Sequence, residues 1–228
     1  MTTMTENFNT GSATAPIEVF VPDATPAHRA VLVLHGSAGL GREYHDDIAS
    51  FAEALVAKQI AAAIPHYFAP NPPRQGEDPI ASIATHYAAW KGTCVDALTF
   101  MGGDPRFDPA RLAVVGFSLG GHFALSLGLV ARPGVTLRCI VDFFGPTLAP
   151  PLQGRFQQMP PVQIHHGDAD TTVYPRESEA LVAELKKAGK REGTDFVFES
   201  YPGQTHRFDS AALAKARAAT VEFIDSRL

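Results

Sequence analysis

Residues 111–121, with the sequence RLAVVGFSLGG, indicate the fold of this chain more clearly than any other stretch. The apolar run 112–115 is typical of a buried strand, and the residues after Gly121 are compatible with a helix. Between them lies a Gly-x-Ser-x-Gly pattern centred on Ser118. A serine at the tip of a sharp strand-to-helix turn has a strained backbone, and flanking glycines avoid collisions with neighbouring backbone. The stretch therefore predicts a strand, a tight turn that exposes the serine hydroxyl, and a helix.

The rest of the chain repeats this alternation of strand-like and helix-like segments. From about residue 17 onward, short aliphatic runs alternate with longer runs of helical periodicity, as in a mostly parallel central sheet with helices on both faces. We therefore predict an α/β fold. The predicted strands are 17–21, 30–34, 60–64, 112–115, 137–143, 162–166 and 196–201, and the predicted helices are 43–58, 80–101, 119–130, 175–188 and 209–226.

The sequence also predicts a domain organisation. Strand 30–34 is apolar throughout, which suits a central strand, whereas 17–21 is expected at an edge of the sheet. Because 228 residues can bury a substantial core as one domain, we expect a single domain over 17–228 without a large cap domain. Residues 1–16 are polar and are expected to form a flexible N-terminal segment. The proline-rich stretch 69–79 is predicted to be a loop.

Composition argues against several classes of partner. The formal net charge is −5 and the 19 lysines and arginines are scattered, so nucleic acid is not an expected partner. No apolar run reaches the roughly 18 residues of a membrane-spanning helix, and no secretory signal is apparent, so no membrane partner is expected. Cys94 and Cys139 lie in apolar stretches, where buried free thiols are commoner than a disulfide. We expect a soluble, cytoplasmic monomer or homodimer.

Ser118 needs a base, because a hydroxyl is a poor nucleophile at neutral pH. Residues 161–170, PVQIHHGDAD, and 201–208, YPGQTHRF, each have the pattern of a strand that ends in a loop. The carboxyl ends of parallel strands meet at one edge of a sheet, so Asp170 and His206 should approach Ser118 there. We interpret Ser118 as a nucleophile rather than part of an ordinary glycine turn, and His206 as its base rather than a surface residue.

The acid that orients His206 has two candidates. Asp168 and Asp170 lie in the same loop, and one of them could simply cap a turn through backbone hydrogen bonds. We favour Asp170.

An oxyanion hole would require two backbone N–H donors. The residue after the nucleophile, Leu119, supplies the first. Residues 34–39, LHGSAG, follow the central strand, and Ser37 is the favoured second donor with Ala38 as the alternative. This loop could also be a plain glycine turn.

Two further groups of residues are candidates for binding sites. His165, His166, Asp168 and Asp170 are metal-ligand types, but adjacent residues on a strand point to opposite faces, so we predict no metal and no cofactor. A substrate pocket could include His35, Tyr67, Tyr87, Phe117, Phe144 and Arg207, although aromatic residues are more often core.

The motifs LHGSAG, GFSLGG, HHGDAD and PGQTH together resemble the dienelactone hydrolase family of the α/β-hydrolases, over roughly residues 17–226. The resemblance implies the α/β-hydrolase fold with Ser118 as nucleophile, Asp170 as acid and His206 as base, and oxyanion donors at Leu119 and Ser37.

The chain also departs from that family. The founding enzymes have a cysteine nucleophile and a glutamate in the loop after the central strand, where this sequence has Ser118 and Gly36. A Ser–His pair does not need the glutamate that a thiol could use for activation. Arginines that would hold a substrate carboxylate are not clearly matched, with Arg207 and Arg74 as candidates.

These features together predict a serine hydrolase that cleaves a small-molecule carboxylic ester or lactone through an acyl-enzyme. Two alternatives stay open. The fold could serve a non-catalytic, ligand-binding protein, or the same triad could act as an acyltransferase or peptidase.

Overall fold

The computed structural model describes residues 1–11, 13–23, 27–73, 77, 79–130, 134–148 and 151–228. Arg74, one of the two arginines that could bind a substrate carboxylate, lies outside the described residues.

The described residues form eight strands in one sheet. Their bounds are β1 Thr2–Thr10, β2 Ala13–Val21, β3 His28–Leu34, β4 Ala61–Pro65, β5 Phe107–Phe117, β6 Leu137–Phe143, β7 Val162–Gly167 and β8 Phe196–Tyr201. The order across the sheet is β1-β2-β4-β3-β5-β6-β7-β8. The pairs β1·β2 and β2·β4 are antiparallel and the remaining pairs are parallel, so the predicted mostly parallel sheet is confirmed.

Five α-helices among the described residues cover the sheet on both faces. They are α1 Arg42–Val56, α2 Pro79–Gly103, α3 Leu119–Gly128, α4 Arg176–Lys187 and α5 Ser210–Asp225. Side chains of α2, α3 and α4 join the buried cluster on one face, and those of α1 and α5 join the cluster on the other. Alternate residues of β3 enter the two clusters, with Leu32 and Leu34 on one side and Val31 and Val33 on the other. This explains why β3 is apolar at every position from Ala30 to Leu34.

The N-terminus differs from the prediction. Thr2–Thr10 is a strand paired along its length with β2, whereas the polarity of residues 1–16 predicts a flexible segment. Strand 17–21 is correspondingly not at the edge, which β1 occupies. The physical reason is a two-residue alternation: Phe8 and Thr10 face the core while Asn7 and Asn9 face solvent, and β-branched threonines favour extended backbone.

The length and polarity of the helices bear on membrane association. Among the residues that the structure describes, none of the helices is both long and apolar enough to cross a bilayer.

Candidate active site

Ser118 occupies the tip of the turn between β5 and α3. Its backbone adopts φ 54° and ψ −118°, a conformation that costs non-glycine residues about 1–3 kcal/mol. The Ser118 N–H donates to Phe143 O at 2.8 Å, and the His122 N–H donates to Ser118 O at 3.1 Å. These bonds hold the strained turn, and Ser118 lines a cavity at this edge of the sheet.

The glycines of the turn are required by close backbone approach. A Cβ added to Gly116 would lie 2.1 Å from Gly120 O, and a Cβ added to Gly120 would lie 2.3 Å from Leu34 O. Both distances are far below contact, and the opposing atoms are backbone that cannot move aside alone. The predicted role of the two glycines is confirmed.

Three side chains that are distant in sequence meet beside this turn. His206 Nε2 lies 3.0 Å from Ser118 Oγ, and His206 Nδ1 lies 2.7 Å from Asp170 Oδ2. Ser118, Asp170 and His206 follow β5, β7 and β8, whose carboxyl ends share one edge of the sheet. When Nδ1–H donates to Asp170, Nε2 is left to accept the Ser118 proton.

The Asp170 carboxylate is buried, and both of its oxygens have hydrogen-bond partners. Its Oδ1 accepts hydrogen bonds from Thr172 N at 2.8 Å and Val173 N at 3.0 Å. Burial alone would raise the pKa of Asp170, but the hydrogen bonds from His166 and His206 hold the pKa well below its usual range. Asp170 is therefore ionised at neutral pH and can stabilise a protonated His206.

A second histidine, His166, approaches the same Asp170 oxygen as His206. Its Nε2 lies 2.8 Å from Val173 O and 3.4 Å from Asp170 Oδ2, and its Nδ1 lies 2.6 Å from Ser178 Oγ. Burial lowers the pKa of His166, but the bonds to Asp170 and Val173 outweigh it and raise the pKa above the ordinary value. His166 thus connects the acid loop to α4.

His165 points to the opposite face of the sheet, as predicted for adjacent strand residues. Its ring stacks on Phe143, and its nitrogens approach Tyr201 Oη at 2.9 Å and Thr220 Oγ1 at 3.3 Å. Burial lowers the pKa of His165 to about 3, so this imidazole is neutral. The two neighbouring histidines do not converge on a shared position.

The expected oxyanion donors lie next to the nucleophile. Leu119 is the first residue of α3, so the helix N-terminus faces the Ser118 turn. Ser37 and Ala38 both line the cavity that Ser118 lines. A Cβ added at Gly36 would lie 3.2 Å from Ser118 Cβ, so this position faces the nucleophile directly.

The cavity at Ser118 has a volume of about 460 Å³. Of the six residues predicted for a substrate pocket, Phe117, Phe144 and Arg207 line it.

The other three predicted pocket residues lie outside the lining. The rings of His35 and Tyr67 stack at 3.9 Å, and Tyr67 Oη donates to His35 O at 2.7 Å, so both rings belong to the core. Tyr87 Oη lies 2.7 Å from His122 Nε2 on α3. The structure does not bring these three side chains to the cavity at Ser118, because nearness to a strand end does not fix the direction of an aromatic side chain.

Several lining residues were missed from the sequence. Tyr44, Asp47 and Ile48 lie at i, i+3 and i+4 on α1, and this spacing just after a glycine-rich loop is a signal that could have found them. The remaining missed side chains are Thr171, Thr172, Thr205, Phe208 and Leu213.

Comparison with known proteins agrees with this architecture. Residues 17–223 match the dienelactone hydrolase family. The uncharacterized protein K02A2.1 of Caenorhabditis elegans is 31% identical over 125 residues, which are 52% of this chain and 73% of the worm protein.

Two solved structures share the fold. The dienelactone hydrolase-like promiscuous phosphotriesterase P91 from metagenomic libraries has a TM-score of 0.81 at 20% identity, covering 99% of this chain and 98% of its own. Dienelactone hydrolase from Anabaena variabilis has a TM-score of 0.72 at 18% identity, covering 100% of this chain and 98% of its own. The family match and the sheet topology confirm the resemblance seen in the motifs: the chain belongs to the dienelactone hydrolase family and is a hydrolase with the α/β-hydrolase fold.

Proposed function

We propose that this protein is a serine hydrolase that cleaves carboxylic esters or lactones through an acyl-enzyme intermediate. The observation that carries the proposal is the hydrogen-bonded series from Ser118 Oγ through His206 to Asp170, at 3.0 and 2.7 Å. Nucleophile, base and orienting acid stand in the order that acyl transfer requires. The likeness in fold to P91, a promiscuous phosphotriesterase, also supports an ester substrate.

In the acylation step, Ser118 Oγ attacks the carbonyl carbon of the substrate while His206 Nε2 takes the hydroxyl proton. The carbonyl oxygen becomes an oxyanion, for which the N–H groups of Leu119 and of Ser37 or Ala38 are the proposed donors. The C–O bond to the alcohol then breaks, and protonated His206 gives its proton to the departing oxygen. The products are a free alcohol and an ester of Ser118; with a lactone, the hydroxyl stays attached to the acyl group.

In the deacylation step, His206 removes a proton from water, and the hydroxide oxygen attacks the acyl carbon. The bond to Ser118 Oγ breaks, the serine recovers its proton from His206, and the carboxylic acid leaves. Asp170 stays ionised throughout and stabilises the imidazolium that forms in each half of the cycle. A transferase or peptidase would share the first step, and a non-catalytic binder would leave this hydrogen-bonded triad without a use.

The test combines covalent labelling with turnover. A fluorophosphonate probe should label Ser118 in the folded protein, and the protein should hydrolyse 4-nitrophenyl butyrate. Ser118→Ala and His206→Ala should each lower kcat by about 10³-fold or more, and the double variant should be scarcely worse, because the residues act as a unit.

Ser210→Ala is the matched control, because Ser210 is exposed at the start of α5. This variant should keep both labelling and turnover. Wild-type-like turnover by Ser118→Ala would falsify the proposal, and a folded wild-type protein that neither reacts with the probe nor hydrolyses any ester would favour the binding protein.

A further inference from the structure

The charges that line the cavity compensate one another. Among the described residues, Asp47 on α1 and Arg207 beside His206 are the lining side chains with a permanent charge. Their Oδ2 and guanidinium nitrogen are 3.6 Å apart. The guanidinium also stands over the ring of Tyr44, with its carbon 5.3 Å from the ring centroid. The cation of Arg207 is therefore already engaged by one carboxylate and one aromatic face.

The surface next to this ion pair is largely apolar. Apolar side chains line the same cavity: Ile48 from α1, Phe117 and Phe144 beside the nucleophile, and Phe208 and Leu213 after the base. The ring of Phe144 lies 4.6 Å from that of His206 and 5.5 Å from that of Phe208. An acyl chain bonded to Ser118 Oγ would thus meet aromatic and aliphatic surface within a site of about 460 Å³, a typical ligand-pocket volume.

We infer, on the basis of the proposed function, that the substrates are esters whose acyl group is uncharged and apolar, and that Asp47 excludes acyl groups that carry a carboxylate. Both members of the ion pair are about half exposed, and a carboxylate beside them would have to compete with Asp47 for Arg207 and accept repulsion from Asp47. An alkyl or aryl group would instead gain from leaving water. The net charge of −5 adds a long-range field that disfavours anionic substrates.

The experiment uses two esters of the same shape and leaving group. Mono-4-nitrophenyl adipate ends its acyl chain in a carboxylate, and 4-nitrophenyl 6-methylheptanoate has two methyl groups in place of the carboxylate oxygens. The wild-type protein should hydrolyse the uncharged ester with a kcat/KM about tenfold or more higher, because its alkyl end gains from the apolar lining whereas the carboxylate is repelled by Asp47. Spontaneous hydrolysis of each ester is subtracted.

Two variants make the test specific to the ion pair. Asp47→Asn should move the selectivity toward the adipate ester by about threefold or more, because it leaves the cavity with a net positive charge. Arg207→Gln should move the selectivity further toward the uncharged ester. A general change in packing would alter kcat/KM for both esters by the same factor, whereas the removal of a charge would alter the ratio of the two kcat/KM values.

The outcomes separate the two proposals. Equal efficiency on the two esters, or a preference for the adipate ester, would leave the serine hydrolase in place and overturn the substrate assignment alone. An unchanged ratio in Asp47→Asn would show that this carboxylate does not set the selectivity. If folded wild-type protein turned over neither ester and Ser118 did not react with the probe, the proposed function and this inference would fail together.

Discussion

Asp168 and Asp170 stand two residues apart in the loop after β7, and their surroundings give them different chemistry. Asp168 is exposed, and its Oδ1 accepts a hydrogen bond from Gly203 N at 2.6 Å. Asp170 is buried and contacts the His206 ring at 2.7 Å. Either residue could be the acid on sequence grounds, and only the path of the loop distinguishes them.

Replacing Asp170 by asparagine should lower kcat about 10³- to 10⁴-fold at neutral pH. The amide would present a donor where His206 Nδ1–H now donates, which favours the tautomer with the proton on Nε2. That tautomer cannot accept the Ser118 proton. Steady-state hydrolysis of 4-nitrophenyl butyrate measures the loss.

Asp168→Asn is the matched control for this prediction. It changes kcat by less than about tenfold, since its carboxylate supports only the backbone at Gly203. A large loss in Asp168→Asn with near-normal turnover in Asp170→Asn would reverse the assignment of the acid.

The sequence predicts the reactive side chains better than it predicts the side chains that line the cavity around them. The motif around Ser118 has a backbone geometry that few residue patterns satisfy, so the turn could be predicted from the two glycines together with the apolar strand before them and the helical run after them. The directions of His35 and Tyr67 could not, because stacking of the two rings is a tertiary contact that neither position encodes by itself.

Of the strands and helices, β1 is the one whose formation is hardest to predict from the sequence. Phe8 is 2% exposed and its ring centroid lies 5.9 Å from that of Phe100 on α2. The strand therefore pairs with β2 through its backbone and also contributes a side chain to the core.

Phe8→Ala should lower the free energy of unfolding by about 3 kcal/mol, because it removes a buried ring from between β1 and α2. Asn7→Ala, at the neighbouring exposed position of the same strand, should change it by less than about 0.5 kcal/mol. Urea denaturation followed by circular dichroism measures both. A neutral Phe8→Ala would indicate that the N-terminal residues do not pack as a strand.

For some other strands, the local sequence pattern is enough to predict where the strand begins and ends. Strands 137–143 and 196–201 have the predicted bounds, since apolar runs between turn residues mark both ends. β5 is longer than the predicted 112–115, as it begins at Phe107 within a turn-rich segment that contains Pro109. Pairing of Phe107 with His28 of β3 supplies the extension, and such partners are not visible in a local pattern.

Across the whole molecule, the parallel sheet brings buried titratable groups together beneath the candidate active site. Asp142 on β6 is fully buried, its Oδ1 accepts from Gly145 N at 3.0 Å, and its Oδ2 has no hydrogen-bond partner among the described residues. Burial raises the pKa of Asp142 to about 7, although the nearby charge of His166 opposes the rise. The folded protein therefore retains a proton on Asp142 that the unfolded chain loses at lower pH.

This raised pKa predicts a pH-dependent gain in stability for Asp142→Asn. A raised folded-state pKa gives stability that is fully present below the unfolded pKa, about 3.9, and is lost as pH rises through the folded pKa of about 7. The free energy of unfolding of the asparagine variant, relative to that of the wild type, should therefore rise by up to about 1.4 kcal/mol per pH unit between these two pKa values. Above the folded pKa the difference should stay constant. Urea denaturation of both proteins at pH 5, 6, 7 and 8 measures the difference. A difference that does not vary with pH would mean that Asp142 binds no extra proton in the folded state, and that the sheet tolerates an ionised carboxylate beside the nucleophile turn.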